Sequence, residues 1–148
     1  MLRAFYAQPV RRGAPVLIPL FAMRVRGGFP SPAEEYEQTR VDLNELFVPN
    51  GAASYLLTVE GSSVSGFGVR EGDTVVVDAS IEAQSGDLVI ARVDNELTVK
   101  RLRVSGYGRS REVVLEADGS HPNIVVDGEM ELVILGVLRA SITSLCRR

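Results

Sequence analysis

The chain has 148 residues, of which 45% are hydrophobic and 24% are charged, as in an ordinary globular domain. That length is enough for one domain with a sizeable core. The net charge of −3 lacks the basic excess typical of nucleic-acid-binding proteins, so we predict no direct sequence-specific DNA binding. A single cysteine and a single histidine exclude a disulfide framework and a Cys/His zinc cluster, and we predict no metal and no cofactor.

The charge is distributed unevenly along the chain. Residues 1–27 contain five arginines and no acidic residue, whereas the remainder contains 11 basic and 19 acidic residues. The first segment therefore carries +5 and the remainder −8. A basic arm of this kind can lie across an acidic body, and its removal would leave that body strongly acidic. An equally good interpretation is that the arginines keep an apolar tail soluble.

An apolar run over residues 16–23 follows two arginines and imitates a secretory signal peptide. Pro15 and Pro19 interrupt any helix there, no small-x-small cleavage site follows, and two further arginines come at once. No apolar run approaches the ~20 residues that are needed to span a bilayer. We therefore expect a cytoplasmic protein that does not associate with a membrane.

The first part of the chain is rich in proline and glycine, which disfavour long helices and suit an extended or turning backbone. We predict an extended N-terminal arm over residues 1–44 and a β-rich domain over residues 45–148. At their junction, residues 42–47 predict a short helix. Asp42 is its N-cap, and Glu45 completes a capping box three residues later.

Beyond residue 50 the chain is predicted to be all-β. Tyr55, Leu57 and Val59 alternate along the first strand and share one face. Asp94 and Asn95 form a plausible two-residue hairpin turn, and Gly136 predicts a bulge or bend in the last strand. The predicted strands cover residues 54–60, 73–78, 87–93, 96–104, 112–117 and 131–142.

A glycine-bounded turn that carries serines ends the first of these strands, and Lys100 lies within a later one. A serine hydroxyl needs a nearby base to act as a nucleophile. Lysine can be that base only where burial removes its proton, and Arg101 cannot replace it because guanidinium stays protonated. We therefore hypothesise a Ser–Lys hydrolase with Ser63 as nucleophile and Lys100 as general base. From spacing alone, a turn serine and a solvated lysine are the commoner explanation.

From residue 28 onward a series of short motifs follows in one order. They are GFPSPAEEY from Gly28, VDLNEL from Val41, GSS from Gly61, EGD from Glu71, VVVD from Val75, GDLVIA from Gly86, ELTVK from Glu96 and, more faintly, ILGV from Ile134. In these motifs the chain resembles the UmuD-like proteins of the bacterial SOS response. Those proteins are relatives of the LexA repressor that cut themselves with a Ser–Lys dyad. The match covers nearly the whole chain and is far more specific than the serine–lysine spacing.

The resemblance implies a single compact β domain of the LexA-like peptidase type with an extended N-terminal arm. It places Ser63 and Lys100 at the positions of the catalytic dyad. The family's cut falls just before the Gly-Phe-Pro motif, which corresponds to the bond between Gly27 and Gly28. The glycine-rich turn further suggests that the backbone N–H groups of Ser62 and Ser63 hold the oxyanion.

The resemblance also implies a homodimer, activation by a RecA–single-stranded-DNA filament, and service to a Y-family translesion polymerase after trimming. An alternative is a non-cleaving polymerase-accessory or scaffold protein with the same fold. Two departures from the family's pattern leave room for this alternative. The chain has Val64 where the family usually has methionine, and Gly27 where cysteine or alanine is common. A LexA-like repressor is not expected, because the 27 residues before the cut are too few for a helix-turn-helix domain.

Overall fold

The computed structural model describes residues 13–22, 25, 27–28 and 38–146, and these residues form a mainly β fold, as predicted. Among them, the residues up to Pro49 form one compact unit and those from Asn50 onward form a second. No helix in this described part of the chain has the length and apolar character that crossing a bilayer requires.

The first unit contains strand β1, Leu17–Phe21, which pairs in antiparallel fashion with strand β2, Gln38–Asp42. Helix α1, Leu43–Phe47, follows β2 directly. The side chain of Asp42 accepts a hydrogen bond of 3.0 Å from the Asn44 N–H, which confirms the predicted N-cap. The predicted arm also includes residues 1–12 and 29–37, which lie outside the described residues.

The second unit is built on a seven-stranded antiparallel sheet with the strand order β3-β4-β9-β5-β6-β7-β8. Its strands are β3 Ser54–Thr58, β4 Thr74–Asp78, β5 Leu88–Val93, β6 Glu96–Ser105, β7 Glu112–Glu116, β8 Ile124–Val126 and β9 Leu132–Ile142. Short 3-10 turns lie at Gly51–Ala53, Ser65–Phe67 and Gly108–Ser110. Strand β8 was not predicted, because its three residues are too few for alternation to show.

The hairpin of β5 and β6 turns at Asp94 and Asn95, as predicted. Both residues have positive φ angles, 47° and 71°, which is the backbone that a two-residue hairpin turn of this type requires. The turn fixes the register of the two strands, and Val89 therefore pairs with Lys100 in the middle of the sheet.

The core consists of two apolar clusters on opposite faces of this sheet. Alternate residues of β5 enter different clusters, because successive side chains of a strand point to opposite faces. The first cluster contains Val59, Val64, Val69, Val75, Val77, Ile90 and Leu135. The second contains Val89, Ala91, Leu102, Leu115 and Val137. Val64 is only 1% exposed. Because Val64 follows the candidate nucleophile Ser63 directly, its burial attaches the segment that carries Ser63 to the core.

Strand β9 contains a bulge beside Gly136. Ile90 pairs with Gly136 while the next residue, Ala91, pairs with Ile134, so Leu135 is the extra residue. The predicted irregularity is therefore present. Glycine is also required sterically, because a Cβ at position 136 would lie 2.5 Å from Val77 Cγ1.

We expect Gly136→Ala to lower the free energy of unfolding by about 1–3 kcal/mol, because the added methyl overpacks the core beneath β9. Gly128→Ala is the matched control, since a Cβ there would meet nothing within 4 Å, and its effect should stay within about 0.5 kcal/mol. Urea denaturation of the two variants provides the measurement. Equal stabilities would contradict the close packing at position 136.

Candidate active site

The loop of residues 61–72, here called the serine loop, connects β3 to β4. Gly61, Gly68 and Gly72 adopt φ angles of 80°, 95° and 86°, a left-handed backbone that glycine takes without steric cost. The N–H of Gly72 donates to the carbonyl of Val59 over 2.8 Å, and the Val59 N–H donates to Asp73 over 2.9 Å. The base of the loop is therefore closed by backbone hydrogen bonds.

Inside the loop, the N–H of Ser65 donates to the carbonyl of Ser62 over 3.1 Å, and the N–H of Phe67 donates to Val64 over 3.0 Å. Val64 is buried, Ser63 is half-buried, and the side chains of Ser62 and Ser65 are exposed. Of the three serines, Ser63 is thus the one that the fold turns towards the interior.

The amine of Lys100 lies 3.0 Å from the hydroxyl of Ser63. It also lies 2.7 Å from Thr98 Oγ1 and 3.2 Å from the carbonyl oxygen of Val99. Lysine side chains are mostly exposed in proteins, but Lys100, near the centre of β6, is only 8% exposed. The structure therefore brings the two residues singled out in the sequence into direct hydrogen-bond contact.

Burial lowers the pKa of Lys100, because desolvation penalises the ammonium form. As an ammonium, the nitrogen can donate to all three neighbours, whereas the neutral amine that burial favours has two N–H donors and one lone pair. Thr98 Oγ1 and the Val99 carbonyl accept the two donors, and the lone pair is then available to the Ser63 hydroxyl. This arrangement can take a proton from the serine.

Arg101, the neighbour of Lys100, has a different role. Its guanidinium lies 4.0 Å from the ring centroid of Phe67 in the serine loop, at the distance of a cation–π contact. Its Nε lies 3.0 Å from a carboxylate oxygen of Glu116 on the neighbouring strand. Arg101 thus supports the loop from β6, whereas Lys100 contacts the serine itself.

Ser63 and Lys100 line an open cleft with a volume of about 480 Å³. Residues 57–60, the beginning of the serine loop and residues 97–100 form its walls, and His121 also lines it. His121 lies in the loop between β7 and β8, and nothing in the sequence indicates that this loop reaches the cleft. Thr98 lies two residues before Lys100 on β6, so the two side chains share one face of the strand, and the Thr98 hydroxyl contacts the amine.

Asp118, just after β7, was not singled out in the sequence, yet it contacts the serine loop twice. Its N–H donates to the Ser63 carbonyl over 2.8 Å, and its carboxylate accepts the Gly66 N–H over 2.8 Å. Hydrogen bonds from the Ser120 side chain and from the Gly66 N–H lower the pKa of Asp118 to about 2. A contact between such distant positions leaves no pattern in one sequence.

The remaining predicted site groups are two N–H groups and two glycines. Within the part of the chain that the structure describes, the backbone N–H groups of Ser62 and Ser63 have no protein acceptor. Gly27 and Gly28 belong to the first compact unit, where both are exposed and form a bend. The oxyanion role and the cleavage site stay predictions.

The β fold and the contact between a buried lysine and a loop serine are compatible with a hydrolase. The sequence matches the Peptidase S24-like family over residues 19–139, which is most of the chain, and the protein belongs to this peptidase family. The predicted relationship to the LexA-related peptidases is thereby confirmed.

Three relatives illustrate the range of this similarity. The chain is 38% identical to Protein MucA of Salmonella typhimurium over 126 residues, which cover 84% of each protein. It is 48% identical to Protein ImpA of Salmonella typhimurium over 84 residues, covering 57% of this chain and 58% of ImpA. It is 35% identical to the LexA repressor of Azoarcus sp. (strain BH72) over 139 residues, covering 90% of this chain and 66% of the repressor.

Proposed function

We propose that this protein is a self-cleaving serine peptidase of the bacterial SOS response, which cuts its own N-terminal arm between Gly27 and Gly28. The observation that carries the proposal is the 3.0 Å distance between Ser63 Oγ and the amine of the buried Lys100. Membership of the Peptidase S24-like family supports the same reaction class.

In the first half of the reaction, neutral Lys100 accepts the hydroxyl proton of Ser63 while Oγ attacks the carbonyl carbon of Gly27. The N–H groups of Ser62 and Ser63 stabilise the oxyanion of the tetrahedral intermediate. When the intermediate collapses, Lys100 passes its proton to the nitrogen of Gly28. The products are a Ser63 ester of residues 1–27 and a new N-terminus at Gly28.

In the second half, a water molecule attacks the ester carbonyl while Lys100 again serves as general base. The C–O bond to Ser63 breaks, the serine recovers its proton from Lys100, and residues 1–27 leave as a carboxylic acid, which releases its remaining proton to the solvent and becomes a carboxylate. The hydroxyl and amine thus return to their starting protonation states. The serine is regenerated even though the chain has only one arm to cut.

The peptide that contains the scissile bond must be extended to enter the cleft. Gly27 has no side chain for a specificity pocket, so positioning depends on backbone pairing and on flanking side chains such as those of Val25 and Phe29. The peptide arrives from the same chain or from the partner in a homodimer. The cut removes residues 1–27 of the proposed arm, residues 1–44, from the β-rich domain, residues 45–148.

The wider role follows from the resemblance to the UmuD-like proteins. On this proposal a RecA–single-stranded-DNA filament activates cleavage of the cytoplasmic homodimer, and the trimmed form serves a Y-family translesion polymerase. Loss of residues 1–27 removes five arginines and no acidic residue. The change in charge from −3 to −8 gives the trimmed form a surface that differs electrostatically from that of the intact protein.

The alternative, a non-cleaving accessory or scaffold protein, rests on Val64 and Gly27. Val64 is fully buried in the first core cluster, so its difference from the family's usual methionine affects packing rather than a reacting group. Gly27 lies next to the scissile bond and provides no reacting side chain either. Both dyad residues are present, and cleavage is therefore the better-supported function.

We expect the cleaved product to begin at Gly28. Replacing Gly28 with tryptophan should block cleavage, because a large side chain hinders an extended peptide beside the serine. Gly27→Ala, the matched control, should cleave as fast as the wild type or faster. Intact mass after incubation at alkaline pH, with and without an activated RecA filament, measures both the site and the extent of cleavage.

Two outcomes would count against this proposal. A product with any other N-terminus would refute the placement of the cut. An unchanged mass under both conditions would instead favour the non-cleaving accessory protein.

A further inference from the structure

Besides its apolar packing and its contact with Arg101, the serine loop is attached to the rest of the second unit by two hydrogen bonds to Asp118. Asp118 binds the backbone on both sides of Val64 and Ser65. Its own N–H donates to the Ser63 carbonyl, and its carboxylate Oδ2 accepts the Gly66 N–H, each over 2.8 Å. One residue thus holds the short segment that carries the nucleophile at both ends.

The contact is close and Asp118 is itself held in place. A Cβ at Gly66 would lie 2.9 Å from Asp118 Cβ, so only glycine lets the loop approach this far. The second carboxylate oxygen, Oδ1, accepts hydrogen bonds from the N–H and the hydroxyl of Ser120. Just before it, the Ala117 N–H donates to the Asn123 side chain over 2.9 Å, which anchors the end of β7.

The same sheet carries the proposed base and this anchor. Strand β7 pairs with β6, and Glu116 lies opposite Arg101, the residue next to Lys100. Because strand pairing fixes the register of neighbouring strands, Asp118 and Lys100 keep a set spacing. The serine loop is therefore attached to the segment just after β7, and β7 is the neighbour of β6, the strand that carries the lysine.

We propose that Asp118 is a positioning residue, which holds the serine loop so that the hydroxyl of Ser63 stays within hydrogen-bond distance of Lys100. The proposal rests on the self-cleavage proposed above. Asp118 contacts no reacting atom in this scheme and acts only through the loop backbone. Hydrogen bonding lowers its pKa to about 2, so its carboxylate remains an acceptor over the whole working pH range.

Asp118→Ala removes the acceptor of the Gly66 N–H but keeps the backbone bond to Ser63. We expect self-cleavage to slow by about 10- to 100-fold, since a displacement near 1 Å can cost a factor of that order. Asp118→Asn keeps an acceptor oxygen and should restore most of the rate. Asp127→Ala is the matched control, because exposed Asp127 also binds two backbone N–H groups of a turn but does not line the cleft.

Hydrogen exchange of the Gly66 amide gives a second measurement that needs no cleavage. It is made in the Ser63→Ala background, so that every chain stays intact. Exchange should accelerate in Asp118→Ala and stay slow in Asp118→Asn and Asp127→Ala. If Asp118→Ala fails to fold, Gly66→Ala tests the same contact from the loop side and should slow cleavage as well.

If the wild type cleaves and Asp118→Ala cleaves as fast as Asp127→Ala, this inference is overturned. The proposed peptidase activity is then unaffected. An Asp118→Asn variant in which Gly66 exchange stays slow but cleavage is as slow as in Asp118→Ala also overturns it, because holding the Gly66 N–H would then not be what matters. A wild-type chain that never cleaves overturns both proposals.

Discussion

Ser63→Ala should abolish self-cleavage, with a fall in rate of at least about a thousandfold, while the protein still folds. The hydroxyl of Ser63 is the one that meets the Lys100 amine at 3.0 Å, and no other group on the serine loop is placed to replace it. Ser62→Ala is the matched control, because that side chain is exposed and lies one residue away. It should retain substantial activity.

The measurement is the fraction of shortened chain on a gel over time at alkaline pH, with a thermal melt to verify folding. Ser65→Ala, also on an exposed position, should behave like Ser62→Ala. An inactive Ser62→Ala together with an active Ser63→Ala would show that the nucleophile is assigned wrongly by one residue.

Self-cleavage should rise with pH through the pKa of Lys100, and Lys100→Arg should be inactive. The sign follows from the role of the lysine, since only the neutral amine can accept the serine proton. Burial lowers the pKa of Lys100, so the rise should occur at a lower pH than the titration of an exposed lysine. Arginine keeps the positive charge but does not release its proton, so it cannot serve as the base.

Rates of cleavage between neutral and strongly alkaline pH give the profile. Arg103→Lys is the control on the same strand, because exposed Arg103 pairs with exposed Glu112 and half-buried Glu116 and contacts neither dyad residue. Lysine keeps the positive charge that faces these two carboxylates, so the control should cleave at close to the wild-type rate. A rate independent of pH, or an active Lys100→Arg variant, would eliminate Lys100 as the base.

Six of the seven strands of the second unit were predictable because their signals are local. Alternation located β3, the turn at Asp94 and Asn95 located the β5–β6 hairpin, and Gly136 marked the irregularity in β9. Each depends on residues within a few positions of one another. The pairing of β1 with β2 and the short strand β8 were not predicted, because pairing depends on distant residues and three residues show no period.

Patterns in the sequence were sufficient to predict the mainly β class, the register of the β5–β6 hairpin and, through the motifs, the resemblance that singled out Ser63 and Lys100. The folded structure was needed to see that these side chains meet, that burial lowers the pKa of the lysine, and that Thr98 accepts a hydrogen bond from its amine. It alone showed Asp118 against the serine loop. The physical reason is that desolvation and contacts between distant strands depend on how the sheet packs, which local sequence patterns do not encode.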